Sequence, residues 1–166
     1  KAFLSAGNTG ALMTGASLIV KRIKGIRRAA LAPIMPSLNG SYMLIDAGAN
    51  LDVRPDILTQ FAIMGSVYME KVMGISRPRV GLVNIGSEET KGTELQKEAY
   101  KMLTNAPVNF TGNVEGRDLP MSHCDVAVAD GFTGNIILKL TEGMGISFNT
   151  ILKNIFKKNI LTTAAA

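Results

Sequence analysis

The sequence contains no tryptophan, and aromatic residues make up only 5% of its 166 residues. Proteins that bind single-stranded nucleic acid stack bases on aromatic side chains. The chain is basic, with 18 Lys and Arg against 13 Asp and Glu, but no nucleic-acid recognition motif accompanies that charge. We therefore expect no nucleic-acid partner. The excess of positive charge leaves phosphate, an anionic membrane or an acidic protein as candidate partners.

Cysteine and histidine occur once each, as the neighbours His123 and Cys124. One cysteine cannot form an internal disulfide, which favours a reducing compartment. Two candidate ligands are too few for a zinc site. Neighbouring residues on a strand point to opposite faces, so the two are also a poor nucleophile–base pair. We expect a structural role for Cys124 and no metal or cofactor.

Long apolar runs are also missing, because no stretch reaches the ~18 residues that a membrane span needs. The first ten residues lack the regions of a signal peptide. The phosphate loop G-x-x-x-x-G-K-[ST], the dinucleotide fingerprint G-x-G-x-x-G and the serine elbow G-x-S-x-G do not occur. We expect a cytoplasmic protein that does not use these nucleotide or serine sites.

Strand-like apolar segments alternate with helical patterns along the chain. Strands are predicted at residues 2–6, 29–35, 42–47, 79–85, 108–111 and 124–129, and helices at 10–24, 55–74, 93–103 and about 133–160. This alternation predicts one α/β domain over residues 1–166, with a mostly parallel sheet covered on both faces. The turn residues Asn39 and Gly40 predict one antiparallel connection.

Five of the predicted strands run directly into clusters of Gly, Asn, Asp, Thr or Glu. The clusters cover residues 5–10, 46–50, 84–92, 112–118 and 130–135. Ligands of open parallel sheets bind at the carboxyl ends of the strands, and the N–H groups that open helices there suit an anion such as phosphate. We expect one phosphate-binding crevice. The alternative is that the clusters are ordinary strand–helix turns and helix caps.

The absence of a nucleotide loop and of a serine triad suggests that phosphate itself is a reactant. Phosphate needs little activation as a nucleophile, because the second ionisation of phosphate esters lies around pH 6. Such an enzyme would act by positioning its substrates and by stabilising developing charge, without a covalent intermediate.

Five motifs, in order, closely resemble those of the phosphate acyltransferase family called PlsX. They are SAGNTGALM, DAGAN, NIGSEETKG, FTGNVEGRD and DGFTGNIILK, and the similarity runs from residue 1 to about residue 160. That family makes acyl phosphate from acyl-acyl carrier protein and inorganic phosphate for bacterial phospholipid synthesis. The resemblance implies a fragment lacking both ends of the family's chain.

The resemblance also implies a fold and an assembly. The fold is a Rossmann-like three-layer α/β/α domain, related to isocitrate and isopropylmalate dehydrogenases and to phosphotransacetylase. The assembly is a homodimer. Acyl carrier protein would be the acyl donor, and inorganic phosphate the acceptor.

Carried over to this sequence, the family's catalytic residues correspond to Lys91 and Asn135. We expect Lys91 to neutralise phosphate and Asn135 to donate a hydrogen bond to the thioester oxygen. The remaining substrate- and phosphate-binding residues would be Asn8, Thr9, Gly10, Asp46, Asn50, Asn84, Gly86, Glu88, Asn113, Glu115, Asp118, Asp130, Gly131, Thr133 and Gly134.

The last predicted helix is amphipathic, with Lys153, Lys157 and Lys158 opposite a broad apolar face. Residues predicted to face a membrane are Phe148, Leu152, Ile155 and Phe156. Such a helix either lies on an anionic membrane or packs in a core or dimer. The resemblance favours peripheral attachment to the membrane.

A basic patch precedes the second predicted strand, comprising Lys21, Arg22, Lys24, Arg27 and Arg28. It could dock the acidic carrier protein by long-range attraction, or it could be a solvated helix end. Three rival functions remain open at this point. They are an acetyl-CoA:phosphate-type acyltransferase, a non-catalytic membrane-associated scaffold for phosphorylated ligands, and a dehydrogenase.

Overall fold

The computed structural model describes residues 3–156. The strands are β1 (Ile34–Ser37), β2 (Gly40–Ile45), β3 (Arg79–Asn84), β4 (Asn109–Glu115) and β5 (Val126–Val128). The α-helices are α1 (Thr9–Gly15), α2 (Pro55–Lys71), α3 (Glu94–Thr104) and α4 (Gly131–Phe156). A π-helical turn, Ala16–Val20, follows α1, and a 3-10 helix, Gly116–Met121, follows β4.

The five strands form one sheet in the order β1-β2-β5-β3-β4. Neighbouring strands are parallel from β2 through β5 and β3 to β4. Only β1 is antiparallel, and it pairs with β2 across the turn that joins Ser37 to Gly40. The α/β fold with a mostly parallel sheet is therefore confirmed, as is the antiparallel connection at Asn39–Gly40.

The core lies between the sheet and helices α2 and α3. Apolar residues of the strands, such as Leu82 and Val128, form one buried cluster with Leu58 and Phe61 of α2 and Leu103 of α3. Helix α2 lies so close to β5 that a side-chain carbon at Gly65 would approach Val126 Cγ1 to 2.6 Å. This burial fixes both helices against the sheet.

Local sequence sets where the helices begin. Pro55 occupies the first turn of α2, where its missing N–H costs no hydrogen bond. Thr93 precedes α3 and donates its backbone N–H to Gln96 Oε1 at 3.0 Å, which completes a capping box. These signals were readable in the sequence, and both helices begin within one residue of the predicted position.

The N-terminal segment differs from the prediction. Residues 3–6 form no strand, so the prediction of a strand at 2–6 is wrong for them, while Ala2 lies outside the described residues. Phe3 and Leu4 are exposed, and none of the strands within residues 3–156 pairs with them to complete a backbone ladder. The helix predicted at 10–24 ends earlier, because Lys21 adopts a positive φ of 67° after the π-helical turn.

The predicted strand at 29–35 is displaced toward its C-terminal end, since β1 begins at Ile34. The residues before β1 nevertheless run beside β2: the N–H groups of Leu44 and Ala47 donate to the carbonyls of Pro33 and Leu31. Pro33 and Pro36 have no N–H to donate, which limits regular pairing on this edge.

The chain divides into two compact units, one ending at Asn135 and the other beginning at Ile136. The first unit holds the sheet, α1, α2 and α3. In the second unit, the described residues continue α4 to Phe156, and residues 157–160 of the predicted helix lie outside the described part. The single domain expected from the sequence stays a prediction. Within residues 3–156, none of the helices combines the length and apolar character needed to cross a membrane.

Candidate functional site

Four of the five polar clusters lie at one edge of the sheet. The parallel strands β2, β5, β3 and β4 all end there, as the pairs Ile45–Val128 and Asn84–Glu115 show. The clusters at these strand ends are residues 46–50, 130–135, 84–92 and 112–118. Asn84 is the last residue of β3, and β4 extends to Glu115, beyond the strand end predicted at residue 111. This edge is where open parallel sheets bind ligands, so it is the candidate site.

The loop after β2 is organised by one buried carboxylate, and we call residues 46–50 the Asp46 loop. Asp46 is 0% exposed. Its carboxylate accepts hydrogen bonds from the backbone N–H groups of Gly48, Ala49 and Asn50, at 2.7–3.2 Å. It also accepts bonds from Leu31 N at 2.9 Å and from Asn50 Nδ2 at 2.8 Å. The structure thus turns Asp46 inward, where it shapes the loop.

Helix α4 begins in close contact with the Asp46 loop. Gly131 N donates to the Asn50 carbonyl at 2.8 Å. A side-chain carbon at Gly134 would lie 1.9 Å from the Asp46 carbonyl oxygen, so only glycine fits there. Asn135 faces the same loop, because its Oδ1 would be 3.4 Å from a side-chain carbon at Gly48.

The N-terminus of α4 is capped by an acidic side chain. Asp130 Oδ1 accepts from the backbone N–H of Thr133, and Asp130 Oδ2 accepts from the Thr133 hydroxyl, both at 2.8 Å. A carboxylate at this position interacts favourably with the positive end of the helix dipole. An anionic ligand would therefore meet a negative charge at the start of α4, whereas the loop after the neighbouring strand β3 carries a lysine.

That neighbouring loop follows β3, and we call residues 85–92 the Lys91 loop. Asn84 closes it, since Asn84 Nδ2 donates to the Lys91 carbonyl at 3.1 Å. The stem of Lys91 packs over Gly86, where a side-chain carbon would lie 2.9 Å from Lys91 Cγ. Lys91 Nζ is 3.9 Å from Glu88 Oε1, and both side chains are substantially exposed. The ammonium group is thus held at the edge and remains accessible.

Asn113 on β4 is hydrogen-bonded to the Lys91 loop. Its Nδ2 donates to the Glu88 carbonyl at 2.8 Å, while its buried Oδ1 has no partner among the described residues. A buried amide oxygen without a donor is costly. Asn113 therefore ties the loop to the sheet and offers one unused acceptor near it.

The segment after β4 forms a separate group of charges. Glu115 N donates to Asp118 Oδ2 at 3.1 Å, and Arg117 Nη2 donates to Glu115 Oε1 at 3.1 Å. His123 Nδ1 lies 3.7 Å from Asp118 Oδ1. Within residues 3–156, no three His, Cys, Asp or Glu side chains are grouped so that they could hold a metal ion.

The first polar cluster, residues 5–10, is not tied to this edge of the sheet by hydrogen bonds. Asn8 caps α1, with its Oδ1 accepting from Ala11 N at 2.9 Å, and Thr9 and Gly10 open that helix. No hydrogen bond between described residues joins them to the Asp46 or Lys91 loops. Likewise, in the described part of the chain, no hydrogen bond or ion pair joins Lys91 to Asn135, although their loops follow the neighbouring strands β3 and β5.

Cys124 and Asp125 lie at the opposite end of β5 from the site. Burial raises the pKa of the Cys124 thiol to about 12, and the carboxylate of Asp125 adds to this effect. Burial alone would raise the pKa of Asp125, but hydrogen bonds from Arg79 outweigh it and lower that pKa. A thiol with so high a pKa is a poor nucleophile, which agrees with a structural Cys124.

Sequence reasoning missed the segment 29–31. Its backbone is bonded to the Asp46 loop, because the Ala29 carbonyl accepts from Asn50 Nδ2 at 2.7 Å and Leu31 N donates to Asp46. These residues are small or apolar and carry no polar side chain that could have marked them. Only the tertiary contact reveals that they border the site.

A family model described as "Fatty acid synthesis protein" matches residues 1–166. The chain belongs to this family. The phosphate acyltransferase of Caldanaerobacter subterraneus subsp. tengcongensis is 55% identical over 166 residues, which is 100% of this chain and 50% of that protein. The phosphate acyltransferase of Caldicellulosiruptor saccharolyticus is 58% identical over 160 residues, covering 96% of this chain and 48% of that protein. The chain thus spans about half the length of these curated relatives.

Two solved structures share the fold. The EutD phosphotransacetylase from Staphylococcus aureus matches 78% of this chain and 46% of its own, with a TM-score of 0.62 and 18% identity. A phosphotransacetylase from Streptococcus pyogenes matches 85% of this chain and 49% of its own, with a TM-score of 0.65 and 20% identity. At this identity the likeness concerns the fold alone, and it agrees with the expected α/β architecture.

Proposed function

We propose that the full-length protein is a phosphate acyltransferase, which moves a fatty acyl group from acyl carrier protein onto inorganic phosphate. The observation that carries the proposal is the sheet edge itself, where four polar loops meet in a chain 55% identical to a phosphate acyltransferase. The edge offers an accessible ammonium group on the Lys91 loop and, two strands away along the sheet, the hydrogen-bonded Asp46 loop. A site of this kind suits an anionic reactant.

In the proposed reaction, a phosphate oxygen attacks the carbonyl carbon of the thioester. The carbon–sulfur bond breaks, the acyl group stays on phosphate, and the proton of hydrogen phosphate passes to the departing thiolate. Lys91 holds the phosphate by charge, and Asn135 donates a hydrogen bond to the carbonyl oxygen as it becomes negative. We place phosphate at the Lys91 loop, because Asp130 already caps α4.

Six other residues of the crevice fall into two groups. Asn84 and Asn113 hold the Lys91 loop. The start of α4 packs against the Asp46 loop through a second set, which comprises Asp46, Asn50, Gly131 and Gly134. In this proposal they position the reacting groups without touching the reacting atoms. Asn8, Thr9 and Gly10 are kept as phosphate contacts of the complete protein.

The proposal is tested by incubating the full-length protein with palmitoyl-acyl carrier protein and phosphate, with hydroxylamine to trap acyl phosphate. We expect hydroxamate that depends on phosphate, and Lys91→Ala should reduce its rate at least about 100-fold. Lys97→Ala is the matched control, since Lys97 is a half-exposed lysine that pairs with Glu94 on α3. Product formed equally well by Lys91→Ala would remove Lys91 from the mechanism, and a preference for a CoA thioester would favour an acetyl-CoA:phosphate-type enzyme.

We also propose that α4 attaches the cytoplasmic enzyme to an anionic membrane. From Ile136 onward the described helix exposes a stripe that includes Leu140, Phe148, Leu152 and Ile155. An exposed apolar stripe of this length with a lysine on another face suits the surface of a bilayer. The same stripe could serve the homodimer expected for this family, and we keep the dimer as part of the proposal.

Vesicle sedimentation distinguishes membrane attachment by α4 from a role of α4 in a dimer. The double variant Leu152→Asp and Ile155→Asp should lose binding to vesicles of phosphatidylglycerol, whereas Asn154→Asp adds the same kind of charge away from the stripe and should retain most binding. Binding of the double variant at the wild-type level would end the membrane proposal. Analytical ultracentrifugation of the same proteins reports whether the stripe serves a dimer instead.

A further inference from the structure

An apolar cavity of about 600 Å³ lies between the N-terminal helical segment and α2. Val20 and Ile26 contribute to one wall, and Ile63, Met64 and Val67 of α2 to the other. The cavity is open on one side, because Val20 and Val67 remain 79% and 53% exposed. Its volume falls within the range of about 300–1,000 Å³ that is usual for sites of small ligands.

The lining determines what kind of ligand the cavity would accept. Three of the five α2 side chains that border it are aliphatic or thioether groups, and Tyr68 and Lys71 follow toward one end. A polar ligand would lose its hydration there without gaining hydrogen bonds. An alkyl chain, by contrast, is stabilised by each methylene that it buries.

One end of the cavity adjoins the candidate site. Ala29 and Ala30 line this end. The carbonyl of Ala29 accepts a hydrogen bond from Asn50 Nδ2 at 2.7 Å, and the next residue but one, Leu31, donates to Asp46 at 2.9 Å. The cavity therefore begins directly behind the Asp46 loop and extends along α2 toward Lys71 and Val72.

Positive charge is concentrated near the same end. Arg22 lines the cavity, and its Nη1 donates to the carbonyl of Arg27 at 2.7 Å. Arg28 is exposed and directly precedes Ala29. Asp56 pairs with Arg27, and Glu70 pairs with Lys71 at the far end of the cavity, whereas Arg22 and Arg28 have no acidic partner among residues 3–156. This arrangement is complementary to a ligand with an anionic head and an apolar tail.

We propose that this cavity holds the hydrocarbon chain of the fatty acyl substrate, with the reacting end of the chain directed toward the Asp46 loop. The inference rests on the proposed function for the identity of the ligand, but the binding of the chain is measurable without turnover. A long chain fills the length of α2 that borders the cavity, whereas a short chain occupies only the end near Ala29.

Equilibrium dialysis of the full-length protein with radiolabelled palmitate and octanoate tests the proposal. Val67→Trp places a large ring in the cavity from an exposed position, so the fold should tolerate it. We expect its affinity for palmitate to fall at least about tenfold, since excluding as few as two methylenes has an effect of that size. Octanoate binding should change by less than about twofold. Met102→Trp is the matched control, because Met102 is a half-exposed apolar residue on α3, outside the cavity.

Each outcome of these binding measurements either supports or overturns the cavity proposal. Palmitate binding by Val67→Trp at the wild-type level overturns the proposal, and so does a change in sedimentation without a change in palmitate affinity, since the cavity would then be a protein interface. Selective loss of palmitate binding supports it, even if the wild-type protein makes no acyl phosphate. If acyl phosphate forms and Val67→Trp uses palmitoyl and octanoyl donors as the wild type does, the proposed function stands and the cavity proposal fails.

Discussion

The Asp46 loop and the Lys91 loop lie at the same edge of the sheet but are built in opposite ways. Asp46 is completely buried, and its carboxylate accepts five hydrogen bonds from neighbouring residues. The side chain of Lys91 is 47% exposed, and its ion pair with Glu88 is 3.9 Å long. A charge that is satisfied inside the protein maintains structure, whereas a charge that is loosely paired at the surface can bind a ligand. The two loops thus combine a rigid support with an adaptable binding group.

The largest effect on stability is expected from Asp46→Ala. The substitution leaves the backbone and side-chain N–H groups of buried Asn50 without this acceptor, and each such group costs about 1–3 kcal/mol. We expect the free energy of unfolding to fall by about 4 kcal/mol in total, because the loop will relax partly toward water. Urea denaturation followed by circular dichroism measures this loss.

The control for this change is Asp52→Ala, just beyond the same loop. Asp52 is exposed, so its replacement should alter the free energy of unfolding by no more than about 0.5 kcal/mol. Equal stability of the two variants would mean that the carboxylate of Asp46 does not organise the loop, and the contrast between the loops would disappear.

A somewhat smaller effect is expected from Gly134→Ala. The added methyl group would lie 1.9 Å from the carbonyl oxygen of Asp46, so the start of α4 must move away from the loop. Overpacking of this kind costs about 3 kcal/mol. Gly143→Ala in the same helix meets no atom within 4 Å and should be neutral or stabilising, by up to about 1 kcal/mol. Thermal unfolding of both variants distinguishes close packing from helix propensity, and equal melting temperatures would contradict the close approach.

The sequence alone predicts that the polar loops lie at one edge of the sheet. Alternating elements and apolar strands such as the one predicted at residues 79–85 indicate a parallel sheet, and a parallel sheet places its loops together. The sequence could not show which polar residues turn inward. Asp46 and Lys91 both follow buried strands, and only the backbone path of residues 46–50 surrounds the carboxylate with donors.

The N-terminal cluster shows a second limit. Asn8 stands in the same kind of motif as Asn135, but a strand is formed only when a neighbouring strand supplies its hydrogen bonds. Residues 3–6 are not strand, and Asn8 caps a helix instead. A local sequence pattern can thus identify a polar residue without predicting its position in the fold.

The smallest effect on stability is expected from Lys91→Ala, although its effect on turnover should be large. The ammonium group is half-exposed and its pairing with Glu88 is loose, so removing the charge should change the free energy of unfolding by less than about 0.5 kcal/mol. The stem packs over Gly86, and Lys91→Met retains that contact while removing the charge. If the role of Lys91 is to hold phosphate, both variants should fold normally in urea titrations, and both should require a higher phosphate concentration for residual activity. A group that only binds a ligand can be removed from the ligand-free protein with little loss of stability. A loss of stability approaching that of Asp46→Ala would therefore show that Lys91 has a structural role.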